Sequence, residues 1–121
     1  GSSILGDPEE LQTAVSNILD NAVKYSGNKV DVSVRLSSPD SQQLTLTVQD
    51  RGVGIPPREL KSIFKRFYRV PGRALPHVRG TGLGLFLVRN IAKRHGGKVF
   101  AESAGEGRGT TITLELPRSD S

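Results

Sequence analysis

Residues 30–54 read VDVSVRLSSPDSQQLTLTVQDRGVG, and this stretch determines the class of fold that the chain adopts. Apolar and polar residues alternate over 30–36 and again over 44–49, which is the pattern of half-buried strands. The polar segment 37–43 contains a proline and is predicted to be a turn, and so short a link makes the strands an antiparallel pair. Because each strand has one wet face, we predict an α+β fold: a mixed, mostly antiparallel sheet with helices on one side.

Helices and a second hairpin are predicted on either side of this region. A proline at the first helical position, followed by two glutamates, predicts a helix over Pro8–Lys24. A second long helix is predicted over 83–95, a short one over 57–67, and strands over 99–103 and 110–116. The glycine pair after the second long helix is expected to cap it. The helix residues predicted to face the sheet are Leu11, Val15, Ile18, Leu19, Ala22, Leu83, Leu87, Val88, Ile91 and Ala92.

The charge of the chain is unevenly distributed. The 121 residues include 17 basic and 12 acidic side chains, a net charge of +5. Residues 58–94 contain ten of the basic and one of the acidic side chains, a net +9, so the rest of the chain carries −4. A basic segment of this kind suggests a polyanionic partner: nucleotide phosphates, nucleic acid, anionic lipid or an acidic protein.

The length fits one domain, expected over 4–121, and Gly1-Ser2-Ser3 resembles a cloning scar. The absence of cysteine excludes disulfides, thiolate metal sites and cysteine nucleophiles. The sequence contains no signal peptide and no apolar run approaching the roughly 20 residues of a membrane span.

Asn17, Asn21 and Lys24 follow a spacing of i, i+4, i+7, which places them on one stripe of the first helix, nearly opposite its apolar face. Amide oxygens are hard, neutral ligands that suit magnesium, and a lysine beside them suits phosphate. A solvated helix face is the alternative interpretation of this stripe.

Two glycine-rich stretches extend the polar pattern. The segment Asp50–Gly54 ends a strand with a carboxylate and two alternating glycines, so the backbone can approach a flat ligand while the carboxylate accepts a hydrogen bond from adenine; a plain Asp-x-Gly turn is the alternative. The segment Gly80–Leu85 precedes a helix and would expose amides to phosphate, although it matches neither a Walker loop nor a dinucleotide fingerprint. A third such stretch, 105–110, is also typical of a hairpin turn.

Taken in this order, the motifs resemble the catalytic and ATP-binding domain of bacterial sensor histidine kinases, in the superfamily that also includes DNA gyrase, heat-shock chaperone ATPases and mismatch-repair ATPases. The resemblance covers about Gly6–Pro117. It implies a Bergerat-type two-layer sandwich of about five strands with three helices on one face, and an ATP lid over about 65–82. The matching motifs are Asn17–Tyr25, Asp50–Ile55, Ile63–Arg69, Gly80–Leu85 and Gly107–Thr110.

The resemblance also implies roles for matching residues. Asn21 is expected to coordinate magnesium with help from Asn17, and Lys24 to contact phosphate. Asp50 is expected to bind the adenine amino group, with Thr110 nearby through water. The implied catalytic set is Asn17, Lys24, Arg66 and Arg69, and the other implied nucleotide-binding positions are Tyr25, Gly52, Gly54, Ile55, Arg69, Gly80, Thr81, Gly82, Leu83, Gly84 and Leu85.

Three features of the sequence qualify what the resemblance implies. ATP-hydrolysing members of the superfamily carry a glutamate base where this chain has Asn17, and an amide cannot take a proton, which favours phosphotransfer over hydrolysis. The family's phosphoacceptor histidine motif is absent, since His77 and His95 lie in other contexts. Arg79 also departs from the small residue common in relatives.

The implied function is binding of Mg-ATP and transfer of its γ-phosphate to a histidine on the parent's dimerisation domain, for relay to a response-regulator aspartate. The implied setting is the cytoplasmic domain of a bacterial inner-membrane protein, with a homodimeric parent and a monomeric fragment. The alternatives are a degenerate docking module of the same fold and, ranked last, nucleic-acid binding, which lacks a recognition helix or aromatic platform here.

Overall fold

The computed structural model of the chain describes residues 8–24, 31–40, 43–52, 54, 57–65, 84–103 and 109–117. Two helices and four strands make up most of this part of the chain. They are α1 (Pro8–Lys24), β1 (Val32–Asp40), β2 (Gln43–Asp50), α2 (Gly84–Arg94), β3 (Lys98–Glu102) and β4 (Thr110–Pro117).

The four strands form one sheet in the order β1-β2-β4-β3, and every pairing in it is antiparallel. The apolar residues of β2 and β4 lie on the same face, because Val48 is opposite Ile112 and Leu46 is opposite Leu114. Both helices contribute to one core with this face, which confirms the predicted two-layer α+β class. The described residues contain four strands and two α-helices, where about five and three are expected, and no parallel pair.

The buried face of α1 differs in direction from the prediction. Ala14, Ile18 and Ala22 are the residues of this helix that are fully buried, and Ala14 was not among those predicted to face inward. Burial of Ala14 turns the inward face by part of a turn toward the asparagines. Asn17 and Asn21 are therefore half-buried beside the core, and the prediction that they lie nearly opposite it is wrong.

The predicted inward face of α2 is confirmed for Val88, Ile91 and Ala92, which are buried in the core. The prediction that Leu87 faces inward is wrong, because this residue is 41% exposed. It lies 100° around the helix from Val88 and is not among the described residues that pack against the core. Leu83 falls outside the described residues.

The first strand is only partly covered. Val32 packs against the core, but Val34 and Leu36 are 55% and 67% exposed, so the predicted burial of this face is wrong for these two residues. Among the described strands β1 lies at one edge of the sheet, and the helices pack mainly over its neighbours. The predicted turn over 37–43 is also shorter than expected, because β1 continues through an irregularity in its register to Asp40.

The predicted helix over 57–67 is replaced by two 3-10 turns, Pro57–Glu59 and Ser62–Phe64. The Lys65 amide donates to the carbonyl of Ser62 at 3.0 Å, the i to i+3 bond of this tighter conformation. Ile63 and Phe64 are both buried, and so short a segment stabilises itself by this packing rather than by helix length. Residues 66 and 67 lie outside the described residues.

Gly96 and Gly97 end α2 as predicted. The Gly97 amide donates to the Ala92 carbonyl at 2.8 Å, and the Gly96 amide donates to the Lys93 carbonyl at 3.1 Å. With φ of +76° at Gly96, these two hydrogen bonds form a Schellman motif. A Cβ on Gly97 would overlap the carbonyl oxygen of Glu115 on β4. The helix end is therefore pressed against the sheet at this glycine.

Gly97→Ala should lower the free energy of unfolding by about 2 kcal/mol, because the backbone of β4 has to move to admit a methyl group. Gly84→Ala is the matched control, since a Cβ there meets its nearest atom, Oδ1 of Asn17, at an ordinary 3.8 Å. Urea unfolding of both variants measures the difference. Equal stability of the two variants would contradict the close contact at Gly97.

Candidate functional site

The carboxylate of Asp50 lies at the end of β2 and is only 3% exposed. Its Oδ1 accepts a hydrogen bond from the Gly52 amide at 2.9 Å. This bond is typical of an Asx turn, so the turn interpretation explains the local geometry. A buried carboxylate costs free energy unless it is partnered, and the Gly52 amide supplies one such partner. The Asp50 carboxylate is therefore buried and held in a defined orientation at one end of the sheet.

Thr110 begins β4 directly opposite Asp50 in the register of β2 and β4. It is 5% exposed, so a carboxylate and a hydroxyl-bearing residue are buried side by side at one end of the sheet. These two residues are predicted to act together, and the structure brings them together. Sixty residues separate them in the chain, and only the strand pairing makes them neighbours.

Two buried glycines with positive φ lie close to this pair along the chain, Gly54 after Asp50 and Gly109 before Thr110. Gly54 has φ of +71° and Gly109 has φ of +75°, a conformation that L side chains rarely adopt. A Cβ on Gly109 would overlap the carbonyl oxygen of Asp50 and would lie 3.1 Å from the Cα of Arg51. The start of β4 therefore passes directly against the backbone of Asp50.

Asn17 of α1 lies beside the first residue of α2. Its Oδ1 is 3.8 Å from the position that a Cβ on Gly84, the first residue of α2, would occupy. An amide oxygen and the positive end of a helix dipole are thus adjacent, next to the glycine-rich segment that precedes α2. Asn21 follows one turn along α1 and is also half-buried.

The two groups of residues are connected through the core. Ala22, next to Asn21, and Val48, two residues before Asp50, belong to the same buried cluster. The side chain of Leu85, predicted to bind nucleotide, packs against this cluster as well. The predicted residues outside the described part are Tyr25, Ile55, Arg66, Arg69, Gly80, Thr81, Gly82 and Leu83, together with the side chain of Lys24 and most of the expected lid.

The described residues offer few side chains that could coordinate a metal ion. The described residues contain no group of three or more histidine, cysteine, aspartate or glutamate side chains arranged to hold a metal ion. The half-buried amides of Asn17 and Asn21 remain as hard oxygen ligands on one helix face. Magnesium is usually held by one or two protein oxygens, phosphate oxygens and water, so this donor set fits a magnesium ion shared with a phosphate ligand.

Some of the described basic residues are exposed, and others form contacts within the fold. Arg58, Lys61, Lys65 and Lys93 are exposed. Arg94 instead pairs with Glu10 of α1, with its Nε 3.3 Å from Oε1, and so holds the two helices together. His95 has Nδ1 2.8 Å from the carbonyl oxygen of Ile91, which supports the structural role that its position at the helix end predicts.

A cavity of about 380 Å³ lies at the opposite end of the sheet from Asp50 and Thr110, and it contains none of the predicted positions. Its lining includes Gln43, Lys98, Glu115 and Pro117. The charged lining residues Lys98 and Glu115 form an ion pair, with Nζ 3.4 Å from Oε1, so their charges offset each other. Neither of the described helices is long and apolar enough to cross a lipid bilayer.

Ser103 is not among the residues that the sequence predicts for the site. Its hydroxyl donates to the carbonyl of Gly109 at 2.7 Å and so joins the end of β3 to the start of β4. A single serine after a strand has no distinctive pattern, and only the register of the hairpin reveals this contact.

Residues 6–120 match the family described as histidine kinase-, DNA gyrase B- and HSP90-like ATPase. Among curated proteins, the chain is 41% identical over 121 residues to the signal transduction histidine-protein kinase/phosphatase MprB of Mycobacterium tuberculosis, covering 97% of this chain and 23% of MprB. It is 39% identical over 113 residues to the sensor histidine kinase WalK of Bacillus subtilis, covering 92% of this chain and 18% of WalK. The chain thus spans about a fifth of the length of these relatives.

Solved structures agree with this relationship. The mycobacterial sensor histidine kinase MprB superposes with a TM-score of 0.85 at 39% identity, covering 95% of this chain and 76% of that one. Full-length ShkA in complex with AMPPNP superposes with a TM-score of 0.82 at 27% identity, covering 100% of this chain and 24% of that one. The similarity to these kinases therefore extends from the sequence to the fold.

Proposed function

Because the chain belongs to the family of histidine kinase-, DNA gyrase B- and HSP90-like ATPases, we propose that it is the ATP-binding catalytic domain of a sensor histidine kinase, which donates the γ-phosphate of ATP to a histidine on the dimerisation domain of its parent. The observation that carries this proposal is the buried carboxylate of Asp50 beside Thr110, at the end of β2. The relatives and the order of the motifs support it.

Asp50 and Thr110 recognise the base. A carboxylate is an acceptor only, and the exocyclic amine of adenine is a donor, so a buried Asp50 selects adenine over a base that presents an oxygen there. The hydrogen bond from the Gly52 amide to Oδ1 holds the carboxylate in one orientation. Gly52 and Gly54 leave room for a flat ring against the backbone.

Asn17, Asn21 and the start of α2 bind the phosphates. The amide of Asn17 lies beside Gly84, where the helix dipole and free backbone amides favour an anion. Asn21 supplies an amide oxygen to magnesium, and Asn17 assists. Magnesium, when bound, would neutralise charge on the phosphate oxygens. Lys24, Arg66 and Arg69 add positive charge around the transferred group.

The domain positions ATP rather than reacting with it covalently. Asn17 occupies the place of a general base and cannot accept a proton, so the site does not activate water. ATP is therefore kept for a protein nucleophile. The acceptor histidine belongs to the dimerisation domain, and a response-regulator aspartate receives the phosphoryl group next.

The isolated chain should bind the non-hydrolysable ATP analogue AMPPNP in the presence of magnesium; AMPPNP is the ligand in the ShkA structure. It should nevertheless release phosphate from ATP at close to the uncatalysed rate. The reason is the missing base at Asn17. Calorimetry measures the first quantity and a phosphate-release assay the second. Release at about one turnover per second, an ordinary enzymatic rate, would contradict the role given to Asn17. Absence of nucleotide binding would instead favour a degenerate docking module.

The partners and setting follow from the same proposal. They are the dimerisation domain of a homodimeric parent and a response regulator, with the isolated fragment a monomer and no nucleic-acid ligand. The domain faces the cytoplasm of a bacterium, and its parent is an inner-membrane protein. The exposed basic residues Arg58, Lys61 and Lys65 are available to guide acidic partner surfaces.

A further inference from the structure

Ser103 follows directly after β3, where the ladder between β3 and β4 ends. The last pair of this ladder is Glu102 with Thr111. Beyond it, the hydroxyl of Ser103 donates to the carbonyl of Gly109 at 2.7 Å, so a side-chain hydrogen bond joins the two strands past the last pair of the ladder. Ser103 is half-buried, which protects this bond from competition with water.

The carbonyl that Ser103 holds belongs to the same peptide unit as the amide of Thr110. A trans peptide is planar and its C=O and N–H point in opposite directions, so fixing one fixes the other. β4 lies between β3 and β2 in the sheet. With the carbonyl directed to Ser103 on the β3 side, the Thr110 amide is directed to the β2 side, where Asp50 lies opposite.

Gly109 transmits this constraint through close packing. It is buried, with φ of +75°, and its Cα lies so near Asp50 that an added Cβ would overlap the carbonyl oxygen of Asp50. Movement of the Gly109 peptide would therefore displace the backbone that carries the Asp50 carboxylate. The contacts run continuously from Ser103 through Gly109 to Asp50 and Thr110.

We propose that Ser103 is a positioning residue for base recognition: its hydroxyl sets the geometry of the Asp50–Thr110 pair through Gly109. This inference rests on the proposed function, in which Asp50 accepts a hydrogen bond from the adenine amine. Ser103 itself does not touch the nucleotide. Its contribution is selectivity for adenine rather than general affinity for phosphates.

The test compares ADP with IDP, which carries an oxygen in place of the adenine amine. Ser103→Ala should reduce the ratio of ADP affinity to IDP affinity by roughly two- to tenfold, the range for loss of one hydrogen bond. Ser103→Thr keeps the hydroxyl and should restore the ratio to within about twofold of the unmodified chain. Ser103→Cys keeps the volume with a weak donor and should lower the ratio even if the alanine variant folds poorly. Calorimetric titration of each full chain measures both affinities.

Ser38→Ala is the matched control. The Ser38 hydroxyl also joins two strands of a hairpin, by donating to the Gln43 carbonyl at 2.9 Å, but it lies at the opposite end of the sheet from Asp50. The nucleotide ratio should therefore be unchanged in this variant, whatever its stability. A merely structural role for Ser103 would make the two alanine variants behave alike.

The outcomes separate this inference from the proposed function. An unmodified chain that binds neither nucleotide, or does not prefer ADP, would overturn the role of Asp50. A preference for ADP that persists in the alanine and cysteine variants would overturn only the positioning role of Ser103. A ratio that falls in those two variants, recovers in Ser103→Thr and is unaffected by Ser38→Ala supports it.

Discussion

Asn21→Ala should abolish the magnesium dependence of nucleotide binding. In the unmodified chain, magnesium should raise the affinity for ATP, because phosphate oxygens and the Asn21 amide oxygen would both be ligands of the ion. Loss of even an outer-shell partner of a metal ligand typically costs 10- to 100-fold in metal affinity, so loss of the ligand itself should cost more than about 100-fold. ATP titrations with magnesium and with EDTA measure the effect.

Asn90→Ala provides the control for this variant. Asn90 is also a half-buried amide in a helix, but it lies on α2, outside every predicted motif. Its replacement should leave both titrations unchanged. Asn21→Ala should retain the residual affinity measured in EDTA, because the base contacts remain. An undiminished response to magnesium in Asn21→Ala would remove Asn21 from the proposed metal site.

Asp50→Asn should weaken binding of adenine nucleotides by about 10- to 100-fold, the range for loss of a hydrogen bond to a charged group. The new amide group presents N–H donors toward the adenine amine, so two donors face each other in a buried site. The same substitution should improve IDP relative to ADP, because the amide can donate to the inosine oxygen. Calorimetry with both nucleotides measures this change in preference.

Asp31→Asn is the control for the change of charge. Asp31 is an exposed carboxylate at the same end of the sheet, 3.7 Å from the Nε of Arg51, and its replacement removes one negative charge without altering Asp50. It should leave the ratio of the two nucleotide affinities unchanged. If Asp50→Asn binds ADP as tightly as the unmodified chain, the contact between Asp50 and adenine is wrong.

The regular elements were predictable because their periodicity is strong. The bounds of α1 agree with the prediction at both ends, and the apolar face of β4, with Ile112, Leu114 and Leu116, is buried as predicted. The errors arise where tertiary coverage decides the outcome. Val34 and Leu36 have the pattern of buried strand residues, but β1 is at the edge and the helices pack elsewhere. Periodicity states which residues share a face and leaves open what covers it.

The candidate site was predictable in its chemistry and less so in its geometry. Asparagines at i, i+4 and an aspartate at a strand end identify the kinds of ligand to expect. The juxtaposition of Asp50 with Thr110 depends on strand register, and that of Asn17 with Gly84 on helix packing. Ser103 has no sequence signal at all, since its contact exists only in the folded hairpin.

The most direct test of the account is phosphotransfer between domains. The chain is mixed with the dimerisation domain of its parent, magnesium and ATP labelled at the γ-phosphate, and the acceptor protein is then examined for acid-labile label. We expect label on the histidine of the dimerisation domain, and loss of that label when Asn21→Ala replaces the unmodified chain. Label that appears only as free phosphate, or no label despite tight ATP binding, would contradict the assignment of this domain as the phosphate donor of a histidine kinase.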